Sequence, residues 1–130
     1  MVYYLIKLAY NIIVMLQKEN RLKNKYAFSA TYRLKNFRYK DGITLNIGKQ
    51  NTKNSPVKIG FVVSKKTHKR AVKRNRIKRL MRESIRLILK QENDLNRYTS
   101  LILTAHPKAL GKSFDEIDCI IKSLLLEEIH

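Results

Sequence analysis

Hydrophobic positions change period several times along this chain, and each change marks an element. Ile43, Leu45 and Ile47 alternate with Thr44 and Asn46, the pattern of a half-buried strand. Residues 57–64 (VKIGFVVS) form a β-branched and aromatic run that fits a central strand. Residues 99–105 (TSLILTA) give a third strand, stopped by Pro107, and residues 36–40 fit a short one. Between these lie segments of helical period. Leu22, Tyr26, Phe28, Thr31 and Tyr32 support a helix from about 25 to 34, with Phe28 and Tyr32 four apart on one face. The main helix is predicted from Thr67 to about Gln91, and a last one from about Phe114 to Glu128. Ser113 with Glu116 three residues on is a capping-box pattern at the start of that last helix. The polar stretch 49–56 (KQNTKNSP) and residues 92–97 read as connectors, Ser55 being held extended by the following proline.

The order is helix, strands, helix, strand, helix, with no repeat and no long linker. One sheet covered by helices is the natural solution, an α+β sandwich. A length of 130 residues suits one domain with a modest core. The first sixteen residues (MVYYLIKLAYNIIVML) are largely apolar and stand apart from this pattern. They lack a basic region ahead of the apolar stretch and a small-residue cleavage site after it, so a secretory signal fits poorly. Sixteen helical residues cover about 24 Å, short of a hydrocarbon core of about 30 Å. Two readings remain: an apolar extension, as an extra helix packed on the domain, or an untranslated stretch with Met15 as the true start. The second is the expectation, with residues 17–130 as the domain.

The main helix carries a second pattern. On a wheel turning 100° per residue, Ile77, Leu80, Met81, Ser84, Ile85 and Ile88 fall within about 80° of the Ile77 direction, on one stripe. Asn75, Arg79, Arg82 and Arg86 cluster near the opposite side, with Arg76 and Lys78 flanking the stripe. The helix is therefore expected to dock through its apolar side and to offer an arginine ridge outward.

Charge sharpens that expectation. The chain has 28 Lys and Arg against 10 Asp and Glu, a formal net charge of +18. Between Asp41 and Glu83 there is no acid, yet there are thirteen Lys or Arg, ten of them in the eighteen residues KKTHKRAVKRNRIKRLMR from Lys65 to Arg82. An ordinary solvated helix face usually mixes both signs, although a solvated face remains the alternative for any single lysine. A dense cationic surface on a folded helix wants a polyanion, and nucleic acid is the commonest. The arginine fork makes two hydrogen bonds to a phosphate and stays charged. Asn75 adds a neutral donor and acceptor suited to a ribose hydroxyl or a base edge. Lys65, Lys66, Lys69 and Arg70 precede the helix or form its first turn, where free backbone N–H groups add anion affinity.

Catalysis by the polypeptide itself finds little support. A protein nuclease needs clustered carboxylates for metal ions, or a histidine pair. Half of the acids lie in the last helix, and the three histidines are scattered at 68, 106 and 130. His68 sits among cations that disfavour a metal ion. Cys119 is the only cysteine, so no intramolecular disulfide and no cysteine-rich zinc site can be built, and a reducing, cytoplasmic setting fits.

The segment 70–87, RAVKRNRIKRLMRESIRL, closely resembles the bacterial ribonuclease P protein family. The family signature is an RNR triplet followed by x-K-R-x-x-R, here Arg74, Asn75 and Arg76, then Lys78, Arg79 and Arg82. Around it, KIGFVVSKK (58–66) is similar to the strand leading into the signature helix. NRLKNKYAFSATY (20–32) resembles the family's opening segment and first helix, and LILTAHP (101–107) its last strand. The resemblance spans about residues 15–128. It implies an α-β-β-β-α-β-α sandwich, akin to a ribosomal-protein domain, with a left-handed β-α-β crossover against the general right-handed rule. It implies a subunit of a ribozyme, in which the RNA carries the active site and holds the Mg²⁺ ions, none being bound by the protein alone. The protein then binds ribonuclease P RNA and the 5′ leader of precursor tRNA, and the complex removes the leader. By position, Arg74, Asn75, Arg76, Lys78, Arg79, Arg82 and Arg86 would bind the RNA subunit. Lys65, Lys66, Lys69 and Arg70 would support that contact or reach substrate. Phe28, Tyr32 and Asn46 would line the leader cleft, plain core packing being the alternative for the two aromatics. The turn after the first helix lacks the glycine often found in the family. No membrane and no obligate protein partner are expected. A general or ribosomal-type RNA-binding protein without a role in tRNA processing is the other reading.

Overall fold

The computed structural model describes residues 18–53, 55–91 and 94–129. The apolar extension 1–16, and with it the choice of Met15 as start, lies outside the described residues. Among the described residues, three α-helices flank one four-stranded sheet. Helix α1 is Lys25–Arg33; strands β1, β2 and β3 are Phe37–Lys40, Ile43–Ile47 and Lys58–Val62; α2 is Ala71–Gln91, β4 is Ser100–Ala105 and α3 is Phe114–Ile129.

The sheet runs β1-β2-β4-β3, with β4 paired antiparallel to β2 and parallel to β3. The parallel pair is joined through α2, so β3-α2-β4 is a crossover unit. The last strand in sequence therefore occupies the middle of the sheet. All its residues but Thr104 are buried, which is why 100–105 reads as a continuous apolar run rather than an alternation.

Alternation divides the sheet into two faces. Ile43, Leu45, Ile47, Leu101, Leu103, Ala105 and Ile59 join the buried stripe of α2 (Ile77, Met81, Ile85) and that of α3 (Ile117, Ile121, Leu124) in one core. Ser84 is fully buried in this layer. Its hydroxyl donates to Asp118 Oδ1 at 2.7 Å, and Lys122 pairs with Asp118 Oδ2 at 2.8 Å. The first of these bonds links α2 to α3, so Asp118 is a tie between helices rather than a solvent-side acid.

The other face is built differently. Helix α1 crosses one part of it, against β2 and β4, where Thr31 Oγ1 meets Ser100 Oγ at 2.5 Å in a buried pair. Helix α1 starts on the Asn24 side chain, which accepts from Tyr26 N at 2.8 Å. Just past its C-cap Leu34, Lys35 has a φ of 53°, the left-handed conformation that glycine usually supplies; here a lysine takes it. Asp41 (φ 46°) and Gly42 (φ 96°) form the two-residue loop between β1 and β2, an Asp-Gly hairpin signal.

Two boundaries differ from expectation. Strand β3 is shorter than 57–64, and α2 begins at Ala71 rather than Thr67. Residues 65–70 turn back on themselves instead: Thr67 N donates to Ser64 O at 3.0 Å, and Arg70 N to His68 Nδ1 at 3.0 Å. Those local bonds hold the backbone out of the helix for one further turn. The capping box before α3 is present, with Glu116 N donating to Ser113 Oγ at 3.3 Å and Ser113 N donating to Glu116 Oε1 at 3.2 Å.

Candidate nucleic-acid interface

The signature residues leave α2 in three directions. Asn75 and Arg79 are exposed on the outer side, and Lys65, Lys66, Lys69 and Arg70 belong to the loop leading in, all exposed. Arg74 folds back on that loop: its Nη1 donates to the carbonyls of His68 at 2.7 Å and Lys69 at 2.8 Å. Arg76 reaches the other way, to the carbonyls of Leu110 at 3.3 Å and Lys112 at 3.4 Å, bracing the approach to α3. A guanidinium has five N–H donors, so both arginines keep donors for a phosphate while shaping their surroundings.

Lys78, Arg82 and Arg86 are half-buried rather than outermost. The reason is that α2 packs beside the edge strand β3, and a long side chain far from the stripe curls down over that edge. Arg82 lies with its guanidinium carbon 5.8 Å from the centre of the Phe61 ring. Burial lowers its pKa, and the nearby Arg21 and Arg79 lower it further. Arg86 Nε is buried and has no hydrogen-bond partner among the described residues. The expected single outward ridge is thus divided: Asn75 and Arg79 point out, while Lys78 and Arg82 close one wall of a groove of about 350 Å³.

The second surface is the open part of the sheet. Register places Phe37, Asn46, Ile102 and Gly60 in one row and Tyr39, Thr44, Thr104 and Val62 in the next, all on the face crossed by α1. Phe28 and Tyr32 of α1 stand side by side with ring centres 6.5 Å apart. Phe28 rests on Gly60, where an added Cβ would come within 2.6 Å of its ring. Phe28 is half-buried against the strand, whereas Tyr32 is 43% exposed. Tyr39 is 57% exposed and lies 5.9 Å from the His106 ring, whose Nε2 meets Thr44 Oγ1 at 2.8 Å. Asn46 is half-buried in the floor between Phe37 and Ile102. The sheet thus brings Phe28, Tyr32 and Asn46 to one face and adds Phe37, Tyr39 and His106. The Phe37–Tyr39 alternation in the short strand at 36–40 carried the signal for the first two of these.

Among the described residues no group of three or more His, Cys, Asp and Glu side chains could hold a metal ion. No described helix is long and apolar enough to cross a membrane.

A family model described as Ribonuclease P matches residues 16–128. The ribonuclease P protein component of Cyanothece sp. is 32% identical over 127 residues, covering 87% of this chain and 95% of that protein. The corresponding component of Pseudanabaena sp. is 34% identical over 112 residues, covering 85% and 92%. The fold is similar to that of Staphylococcus aureus RNase P protein, with a TM-score of 0.70 at 23% identity over 85% of this chain and 96% of that one.

Proposed function

The chain belongs to the ribonuclease P protein family, and we propose that its cationic helix grips the RNA subunit while its aromatic sheet face takes the 5′ leader of precursor tRNA. It is the protein component of a ribonucleoprotein endoribonuclease that matures tRNA 5′ ends, and ribonuclease P RNA is its partner.

The observation that carries the division of labour is the separation of the two surfaces. The arginines of α2 and the lysines of 65–70 offer charge with a fixed fork geometry, suited to a folded RNA backbone. Tyr32, Phe37 and Tyr39 offer exposed ring faces on the far side of the sheet. Base–aromatic stacking contributes roughly 1–3 kcal/mol per base and tolerates any sequence, which suits leaders that differ from one tRNA to the next. Asn46 supplies a hydrogen-bonding group to the same floor. The donor set along α2 is cationic, so Mg²⁺ required for phosphodiester hydrolysis is assigned to the RNA, and the chain's part is to neutralise and position phosphates.

Reconstitution with a bacterial ribonuclease P RNA at low Mg²⁺ tests this. The chain is expected to stimulate cleavage of precursor tRNA at the mature 5′ end. Binding of the RNA without stimulation would return the protein to general RNA binding.

A further inference from the structure

The groove at the edge of β3 belongs to neither surface alone, and its chemistry is specific. Arg21, Lys23, Lys78 and Arg82 surround it, and Phe28 and Phe61 form its apolar wall. Among the described residues no carboxylate lines it. The Arg82 guanidinium carbon lies 5.8 Å from the centre of the Phe61 ring, so a cation and an aromatic face meet at the groove wall. Burial disfavours the charge of Arg82, and Arg21 and Arg79 nearby add a repulsion that an anion would relieve. Gly60 lets the Phe28 ring lie directly against the strand, because any Cβ there would collide with it.

Size narrows the occupant. About 350 Å³ lies at the lower end of the range for small-molecule sites, roughly 300–1,000 Å³. That admits one nucleotide and excludes a duplex. Flat apolar and guanidinium surfaces recognise a base whose faces are free, which a paired and stacked base does not offer. Flanking cations recognise the phosphate attached to it.

We propose that this groove binds one unpaired nucleotide of RNA, with its phosphate between Arg82 and Lys78 and its base against Phe28 and the Phe61–Arg82 pair. The proposal rests on the reading of the chain as an RNA-binding subunit and adds a function to it: the protein distinguishes an extruded nucleotide from a paired one. The nucleotide comes either from the RNA subunit or from the leader.

Phe61→Leu keeps an apolar side chain in the wall and removes the ring; Phe61→Tyr keeps the ring. Each is assembled with a ribonuclease P RNA, and two affinities are measured, for that RNA and for leader-bearing precursor tRNA. Phe61→Leu is expected to weaken one of them by about 5- to 150-fold, the range for one lost base stack, with the salt dependence unchanged. Phe61→Tyr should stay close to the parent. The affinity that falls identifies the source of the nucleotide. Equal losses for the two variants, or no loss for Phe61→Leu in either assay, overturn the proposal.

A second measurement needs no partner RNA. Unstructured penta-adenylate added to the isotope-labelled full chain should shift the Phe61 ring and Arg82 Nε resonances; shifts confined to other sites overturn the proposal. If those signals move and reconstitution nevertheless fails, the groove stands and the holoenzyme reading falls. A stimulating holoenzyme with an indifferent Phe61→Leu leaves the holoenzyme reading intact and removes the groove.

Discussion

Arg76 and Arg79 stand three residues apart in the same motif, yet they face different neighbours. Arg79 is exposed, while Arg76 bonds two carbonyls on the approach to α3. Each phosphate neutralised contributes about 0.7–0.9 to the log–log salt slope. Arg79→Ala is therefore expected to weaken RNA binding and flatten the slope by about that amount, with an unchanged melting temperature. Arg76→Ala should instead lower the melting temperature, since buttressing hydrogen bonds typically contribute about 0.5–1.5 kcal/mol each. Isothermal binding at several salt concentrations, with a thermal melt of each variant, separates the two. An Arg79→Ala protein with the parental slope would remove that residue from the phosphate contacts.

At the scale of elements, α1 and β1 are the pair to probe. Tyr32 and Tyr39 are exposed on the same side of the sheet from different elements. Replacing either by Ala should weaken precursor tRNA binding by roughly 1–3 kcal/mol and leave mature tRNA unaffected. Equal losses for both ligands would mean a packing defect. The start of α3 gives a pH signature. Bonds from the Ser113 backbone N–H and hydroxyl, together with Lys112, hold the Glu116 carboxyl below its usual pKa. A lowered folded-state pKa gives stability that is complete above the ordinary carboxylate range and lost as pH falls through the folded value. Melting temperature measured from neutral pH into the acid range should therefore drop less for Glu116→Gln than for the parent.

Most element identities were legible because core and period agree: Ile43, Leu45 and Ile47 are buried on alternate residues, and Ile77, Met81 and Ile85 at helical spacing. The capping box was legible for the same reason, being local. What escaped was set by distant partners. The periodicity of α2 locates the side facing the core but not the strand edge beside it, so it could not show Arg82 over Phe61. Nor could spacing show that Arg76 reaches carbonyls thirty-four and thirty-six residues away. The late start of α2 depends on a His68 ring accepting a backbone N–H, a choice that helix propensity does not register.

For the molecule as a whole, a formal charge of +18 on 130 residues is the dominant fact. Among the described residues, ion pairs form on Asp41, Glu116 and Asp118. Repulsion among so many cations opposes the compact state and is screened by salt. The melting temperature of the isolated chain should climb as sodium chloride is raised from low ionic strength, while RNA affinity falls over the same range. A flat melting curve would mean that the charges lie too far apart to matter.

The central position of β4 bears on how the polypeptide is made. A ribosome delivers β1, β2, β3 and the cationic α2 before the strand that must sit between β2 and β3. Until residues 100–105 emerge, the sheet has a gap at its middle and the basic segment hangs from an unfinished scaffold. Release of the residues from Ser100 onward is then the event that makes the subunit competent to join its RNA, and a nascent chain halted just before Ser100 should remain open to protease.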